Sequence, residues 1–474
     1  MENKRRNFLK LTGLAGFGVF GSGIFKGFAK DVPGKAESSQ QIDSYKQQFN
    51  MSGYAAPKLD MVRIGFIGLG QRGPGHLNNM TKLEGVKING LCDIRESSVK
   101  KAAKLLDGSS HQPVLYSGDK DAWKKLCESK DIDVVYIATP WDMHVPMALY
   151  AMEHGKHAFV EVPAAVTLDQ CWQLVETSER TRKHCMMLEN CCYDFFELLT
   201  LNMARQGYFG EIVHAEGAYL HNLLGLNFDK NGYWDMWRLK QNATRNGNIY
   251  PTHGLGPLCQ LMNINRGDKM DYLVSMSGND FSMEKKAEEL AGKDDFFKPF
   301  TGKNYRGNMN TTSIRTKSGR TIMIQHDVSS PNIYSRIHKI TGTKGTALKY
   351  PLPGKISNDT KESWLSDKEM QELEKKYQPA IVKKMGELAK EVGGHGGMDF
   401  LMDWRVIDCL RNGLPLDQDV YDAALWSSIS PLSEKSVANR SSAVDIPDFT
   451  NGSWKTNKPV DILLEQGGTT KVKL

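Results

Sequence analysis

Hydrophobic and polar positions follow two different rhythms along this chain. From residue 61 to about 190, short uninterrupted apolar runs at 62–67, 86–92, 133–138 and 157–160 alternate with stretches whose apolar residues recur at helical spacing, as Val99, Ala102, Ala103 and Leu106 do. Strand and helix in repetition predict a doubly wound parallel sheet of the α/β class, with helices on both faces. Beyond residue 190 the rhythm changes. A helix over 194–206 precedes longer segments at 212–220, 271–277, 310–316 and 321–328, which suit an open, mostly antiparallel sheet in an α+β domain. Segments 398–412 and 420–428 read as helices packing back, while 282–303 and 357–391 read as charged surface excursions, the second largely helical. The pattern divides the chain into a leader over 1–30, a polar linker over 31–60, a doubly wound domain over 61–190 and an α+β domain over 191–474.

Composition changes this picture mainly at the start. A chain of 474 residues with 40% hydrophobic and 24% charged residues has the make-up of a water-soluble globular protein with a large core. A net charge of +6 with one tight basic cluster gives no stripe for nucleic acid. That cluster, Lys4-Arg5-Arg6, leads Asn7-Phe8-Leu9-Lys10 and a weakly apolar run to Phe28 broken by six glycines. It reads as a twin-arginine export signal, too interrupted for a stable membrane anchor, and it predicts a periplasmic protein handed to the twin-arginine machinery. The eight cysteines show no Cys-x-x-Cys spacing and sit in apolar runs, as buried small hydrophobes do. Unpaired thiols fit export only if the protein folds first in the reducing cytoplasm, which is how the twin-arginine route works.

The first apolar run leads into Gly68-Leu69-Gly70-Gln71-Arg72-Gly73 and then a helix, and the second ends at Asp93. Strand, glycine turn, helix and acidic residue together specify dinucleotide binding. Gly68 makes the turn, Gly70 lets the backbone approach a pyrophosphate, Gly73 packs helix on sheet, and the helix N-terminus attracts the anion. Asp93 would accept hydrogen bonds from the adenosine ribose and repel a 2′-phosphate, so the expected cofactor is NAD.

Three further segments join this one: Ala138-Thr139-Pro140-Trp141-Asp142-Met143-His144, Glu161-Val162-Pro163, and Gly254 beside His253. Together they resemble the Gfo/Idh/MocA oxidoreductases over residues 61 to 430. Most members of that family carry Glu-Lys-Pro, so Val162 departs from the pattern of a sugar dehydrogenase. The leader, Glu161-Val162-Pro163-Ala164-Ala165, Glu189-Asn190-Cys191-Cys192-Tyr193 and Tyr250-Pro251-Thr252-His253 resemble glycoside hydrolase family 109, the NAD-dependent α-N-acetylgalactosaminidases. By that resemblance Gln71, Arg72, Asp93, Trp141, Asp142, Met143, His144, Glu161, Val162 and Asn190 would line the cofactor. Tyr219, Arg238, Tyr250, Pro251, Thr252, His253 and Tyr334 would line the sugar.

An NAD site offers glycosidic cleavage a route unlike the usual pair of carboxylates. Oxidation of C3 to a ketone acidifies the proton on C2, elimination expels the C1 substituent, water adds, and C3 is reduced again, so the cofactor is regenerated in each turnover. His253 is the expected base at the C3 hydroxyl, since a neutral imidazole accepts a proton near pH 7. Tyr193 or Tyr334 would act as the C2 base or leaving-group acid, with a packing role equally open for each. His144 reads either as a ribose contact or as a helix-start residue. The aromatic run Tyr233-Trp234-Asp235-Met236-Trp237-Arg238 suits stacking on a sugar face or packing on the core. No motif such as His-Glu-x-x-His stands in the chain, and no metal is expected. The open sheet suggests a homodimer. A sugar dehydrogenase or epimerase and a non-catalytic carbohydrate-binding protein are the competing readings.

Overall fold

A computed structural model describes residues 45–473 apart from Lys361. The export signal and the first part of the linker lie outside the described residues. Among those described, no helix is long and apolar enough to cross a membrane.

Strands β1 (Val62–Ile67), β2 (Val86–Cys92), β3 (Val114–Tyr116), β4 (Val134–Ile137), β5 (His157–Val160) and β6 (Cys185–Met187) form a parallel sheet in the order β3-β2-β1-β4-β5-β6. Burial on both faces explains the unbroken apolar runs: every residue of β4 and β5 is buried. The strand order reverses between β1 and β4, and a crevice opens beyond the carboxyl ends of two such neighbours. Gly68 follows β1 there, and Thr139 follows β4. The sequence pattern missed β3 and the helix Ala122–Glu128, because β3 is a three-residue edge strand whose Val114 and Leu115 face solvent.

The second sheet has eight strands: β7 (Ile212–Leu220), β8 (Met270–Ser277), β9 (Asn310–Thr316), β10 (Thr321–Asp327), β11 (Lys339–Gly342), β12 (Gly345–Leu348), β13 (Lys355–Asn358) and β14 (Val444–Asp445). They run in the order β13-β12-β11-β7-β10-β9-β8-β14, antiparallel except for the parallel pair β7 and β10. The helix Thr252–Leu261 lies on β7 with no room to spare. A Cβ on Gly254 would stand 2.3 Å from the Ala218 nitrogen, and one on Gly217 would stand 2.5 Å from the Gly254 carbonyl oxygen. Those two glycines fix the depth at which His253 sits.

The helices Met398–Asn412 and Val420–Ala438 fill the space between the sheets, with Trp404 and Trp426 fully buried. The second runs ten residues past its expected end despite Pro431. Segment 282–303 is more than a surface excursion: it folds into the helix Met283–Ala291 and a short turn, with Met283, Ala287 and Phe297 buried. The described part of the linker is likewise anchored. Gln47 Nε2 and the Met51 amide both donate to the Tyr421 hydroxyl, and the Leu59 amide donates to the Leu410 carbonyl. All eight cysteines are buried and unpaired.

Candidate active site

A cavity of about 900 Å³ opens at the carboxyl ends of β1 and β4 and extends to the helix Thr252–Leu261. Its floor at the nucleotide end is the glycine turn. Gly68 has φ +90° and a Cβ there would meet the Ala138 carbonyl at 2.6 Å, while a Cβ on Gly73 would meet the Gly68 oxygen at 2.0 Å. The protein itself therefore requires both glycines. Gly70 differs: the nearest atom to a Cβ there is Arg95 Nη2 at 3.5 Å, so what needs this space is a ligand. The helix Gly73–Thr81 begins without a side-chain cap and without an acidic residue in its first turn, so its positive end faces an anion with no carboxylate in competition, although Pro74 has no amide hydrogen and the Gly75 amide donates to the Arg72 carbonyl. Asp93 lines the same wall, oriented by the Leu69 amide at 2.8 Å and the Arg95 amide at 2.9 Å.

At the other end, aromatic rings surround Arg238. Its guanidinium lies 4.8 Å from the Tyr250 ring centre and 5.4 Å from that of Trp141, and it donates to the Tyr233 hydroxyl at 2.7 Å. Trp141 stacks on Tyr250, and Tyr250 packs on Tyr219 with centroids 4.7 Å apart. A flat aromatic wall with one buried cation suits a polar ring that carries a carbonyl substituent.

Of the three histidines that line this cavity, His253 and His395 are each backed by a carboxylate. His253 Nδ1 lies 2.8 Å from Glu189 Oε1, and its Nε2 is 3.5 Å from the Tyr250 hydroxyl. With Nδ1–H donating to Glu189, Nε2 is left as the free base. Burial alone would raise Glu189, but His253 holds it below the ordinary carboxylate value. His395 Nδ1 lies 2.7 Å from Asp399 Oδ2 in the same arrangement. It stands in Gly393-Gly394-His395-Gly396-Gly397, where all four glycines and His395 itself have positive φ.

Below the glycine turn the charges form a chain. Arg72 donates to Glu161 at 2.9 Å and to Asp399 at 3.0 Å, and Asn190 Nδ2 also donates to Asp399. His76 sits between Asp403 at 2.8 Å and Glu161 at 2.9 Å. Burial would lower His76, yet Asp403 and Glu161 outweigh it and hold it up at about 10. Burial would raise Glu161 and Asp399. Arg72 and His76 hold Glu161, and His395 and Arg72 hold Asp399, far below the usual carboxylate range.

Residues 193–456 match the family model described as glycosyl hydrolase 109, C-terminal domain, and 62–189 match the NAD-binding Rossmann fold of the oxidoreductase family. The chain belongs to glycosyl hydrolase family 109. This family 109 enzyme is 50% identical over 413 residues to a Bacteroides fragilis protein named alpha-N-acetylgalactosaminidase, covering 86% of this chain and 96% of that one. A family 109 protein of Shewanella pealeana is 44% identical over 473 residues, covering 98% of this chain and all of that one. An NAD-binding oxidoreductase from Klebsiella pneumoniae shares the fold with a TM-score of 0.62 at 18% identity, covering 82% of this chain and all of that one.

NAD fits what this family 109 member presents: a crowded turn with one open glycine, a helix start free of acidic side chains and an oriented Asp93. Most residues expected at the cofactor or the sugar line the cavity, namely Gly68, Gly70, Gln71, Arg72, Asp93, Trp141, Asp142, Met143, His144, Glu161, Val162, Asn190, Tyr219, Arg238, Tyr250 and His253. Several do different work from that expected. Arg72 and Glu161 pair with each other. His144 has its ring nitrogens 2.8 Å from the Thr139 and Pro163 carbonyls, where it ties together the loops after β4 and β5.

Other residues are not brought to the cavity. Tyr193 is fully buried with its hydroxyl donating to Asp417 at 3.0 Å, so the catalytic role expected for it is replaced by packing. Tyr334 neighbours Tyr219 with centroids 6.2 Å apart, outside the cavity lining, and Arg336 donates to its hydroxyl at 3.0 Å. Burial pushes that hydroxyl well above the ordinary tyrosine range, which disfavours its ionisation as a base. Gly73, Pro251 and Thr252 also stand behind the lining. Sequence reasoning missed Glu189, His395, Asp399 and His76. The signal for His395 was present, since four glycines flanking one histidine leave a polar side chain no secondary structure to support and allow it unusual freedom of approach.

Proposed function

We propose that this enzyme removes terminal α-linked N-acetylgalactosamine from glycans by transient oxidation of the sugar, with two histidines as its proton-transfer groups. NAD, when bound, supplies reversible hydride acceptance at C3. The observation that carries the reading is the pair of histidine–carboxylate dyads on one cavity whose other wall is the dinucleotide turn. A metal-free hydrolase with two catalytic carboxylates would place acids where these imidazoles stand.

His253 takes the proton of the C3 hydroxyl on Nε2, and Glu189 stabilises the imidazolium that forms. Arg238 and the Tyr219, Tyr250 and Trp141 rings hold the sugar ring and its acetamido carbonyl. The C2 proton, acidified by the C3 ketone, passes to a solvent water, which returns one when water adds; His395, on its glycine-flanked loop, gives a proton to the departing glycosidic oxygen and later takes one from the incoming water. The aromatic wall and the buried charges below it keep bulk water from the C3 position. The name of the Bacteroides fragilis relative supports the sugar.

The twin-arginine leader supports export and periplasmic work. The solvent-facing side of the eight-stranded sheet, where Met276 is exposed, supports a homodimer.

Hydrolysis of p-nitrophenyl α-N-acetylgalactosaminide in deuterated water without added NAD tests the reading. Cleavage with deuterium at C2 of the released sugar is the expected result. Failure to cleave, with NADH accumulating when NAD and free sugars are supplied, would make it a dehydrogenase instead.

A further inference from the structure

Cys191 has no part in the proposed chemistry, yet its sulfur lies beside the His253 dyad. The ligand atoms of Glu189, Cys191 and His253 all lie within 4.8 Å of one another. The first two come from one turn. Glu189 caps the short helix Asn190–Tyr193 by accepting from the Cys191 amide at 3.1 Å, which holds the carboxylate and the thiol on a common side. The third comes from the helix Thr252–Leu261, held at fixed depth by Gly254. Sulfur, imidazole nitrogen and carboxylate oxygen are the donors that zinc and its neighbours in the first transition row take, whereas magnesium wants oxygen and water. Zinc bonds of roughly 2.0 to 2.3 Å put tetrahedral donors about 3.5 Å apart, so closing the site asks the three ligand atoms to draw together by about 1 Å. His253 borders the cavity, with Glu189 and Cys191 fully buried behind it, so an ion would enter past the His253 ring.

We propose that this trio is an inhibitory site for a thiophilic divalent cation, zinc being the best match. The ion binds the Cys191 sulfur, releases the thiol proton to solvent, and takes a Glu189 oxygen and His253 Nδ1, whose proton moves to Nε2, as its other protein ligands. Burial pushes the free Cys191 thiol up and keeps it protonated and unreactive, but a metal ion displaces that proton directly. Occupation removes His253 as a base and Glu189 as its support, so hydrolysis stops without any change in fold. The site is assembled from residues far apart in sequence, which is why no spaced motif announces it. This inference rests on the role given to His253 for its effect on activity, while the binding itself stands independently of that role.

Cobalt titrated into the purified, cofactor-loaded enzyme gives the direct test. Thiolate-to-cobalt charge transfer in the near ultraviolet, at one equivalent, is expected in the wild type and absent in Cys191→Ser. Zinc at micromolar concentration should abolish hydrolysis, a chelator should restore it, and magnesium should do nothing. Cys191→Ser should keep its hydrolysis and need about tenfold or more zinc for the same inhibition. Cys191→Ala serves as the second variant if serine disturbs the turn. No charge-transfer band in the wild type, or one that survives both substitutions, would overturn the site. A band lost in the variants together with full hydrolysis in saturating zinc would keep the site and overturn the role of His253.

Discussion

The two histidine dyads use the same chemical pair in opposite mechanical settings. His253 stands on a helix pressed against a sheet, with its side chain 14% exposed and its carboxylate wholly buried. His395 stands between glycine pairs, with its side chain 55% exposed and a carboxylate shared with Arg72 and Asn190. The difference matches the proton that the proposed mechanism gives each to move. A C3 hydroxyl has to be held against the cofactor within a few tenths of an ångström, which calls for a rigid base. A leaving group that differs from glycan to glycan, followed by water, calls for a group that can follow the oxygen.

Removing either imidazole should separate the two roles. His253→Ala is expected to lower kcat by roughly 10³-fold or more for every substrate while NAD stays bound, with bound cofactor read by absorbance after denaturation. Equal activity would strike it from the catalytic set. His395→Ala should cost about 10²-fold on a natural glycan and much less on the p-nitrophenyl glycoside, whose phenolate departs without help. The two substrates compared side by side decide this, and an equal loss on both would contradict acid catalysis. Gly396→Ala tests the hinge. Its φ is +76° with no neighbour within 4 Å, so the added methyl clashes with nothing and acts only through backbone strain. A fall in kcat of about fivefold, the equivalent of roughly 1 kcal/mol, is expected with a melting temperature lowered by only about a degree or two. An unaltered kcat would mean that the loop does not move.

The smallest effect concerns the charged floor that Asp399 shares with the nucleotide domain. His76 is raised to about 10 by Asp403 and Glu161, so its contribution to stability is complete below the ordinary histidine pKa of about 6.5 and is lost as pH rises through about 10. His76→Gln should therefore melt below the wild type near neutrality, and the gap should narrow with increasing pH. A gap that stays constant in scanning calorimetry would mean that His76 is neutral in the folded protein.

The fold was legible where periodicity is strong. The unbroken runs of β1, β2, β4 and β5 and the glycine turn carry the nucleotide domain in plain view. The short β3 and the hairpin strands β11 to β13 were not legible, because three or four residues are too few for a period to register and their burial comes from neighbours distant in sequence. The site divides in the same way. Asp93 and His253 sit in motifs and could be named, whereas Glu189, Asp399 and His76 act through partners 64, 327 and 327 positions away. Tyr193 was misread for the complementary reason: a tyrosine inside a matching segment says nothing about which way its hydroxyl points, and Asp417 had claimed it.

The eight buried, unpaired thiols bear on how long the protein survives once made. In an oxidising medium the folded chain has nothing to cross-link, whereas an unfolded one exposes every sulfur to oxidation and wrong pairing. Each opening event is then a one-way exit, so the lifetime of the enzyme outside a reducing cell is set by how seldom it opens and not by how deep its equilibrium lies.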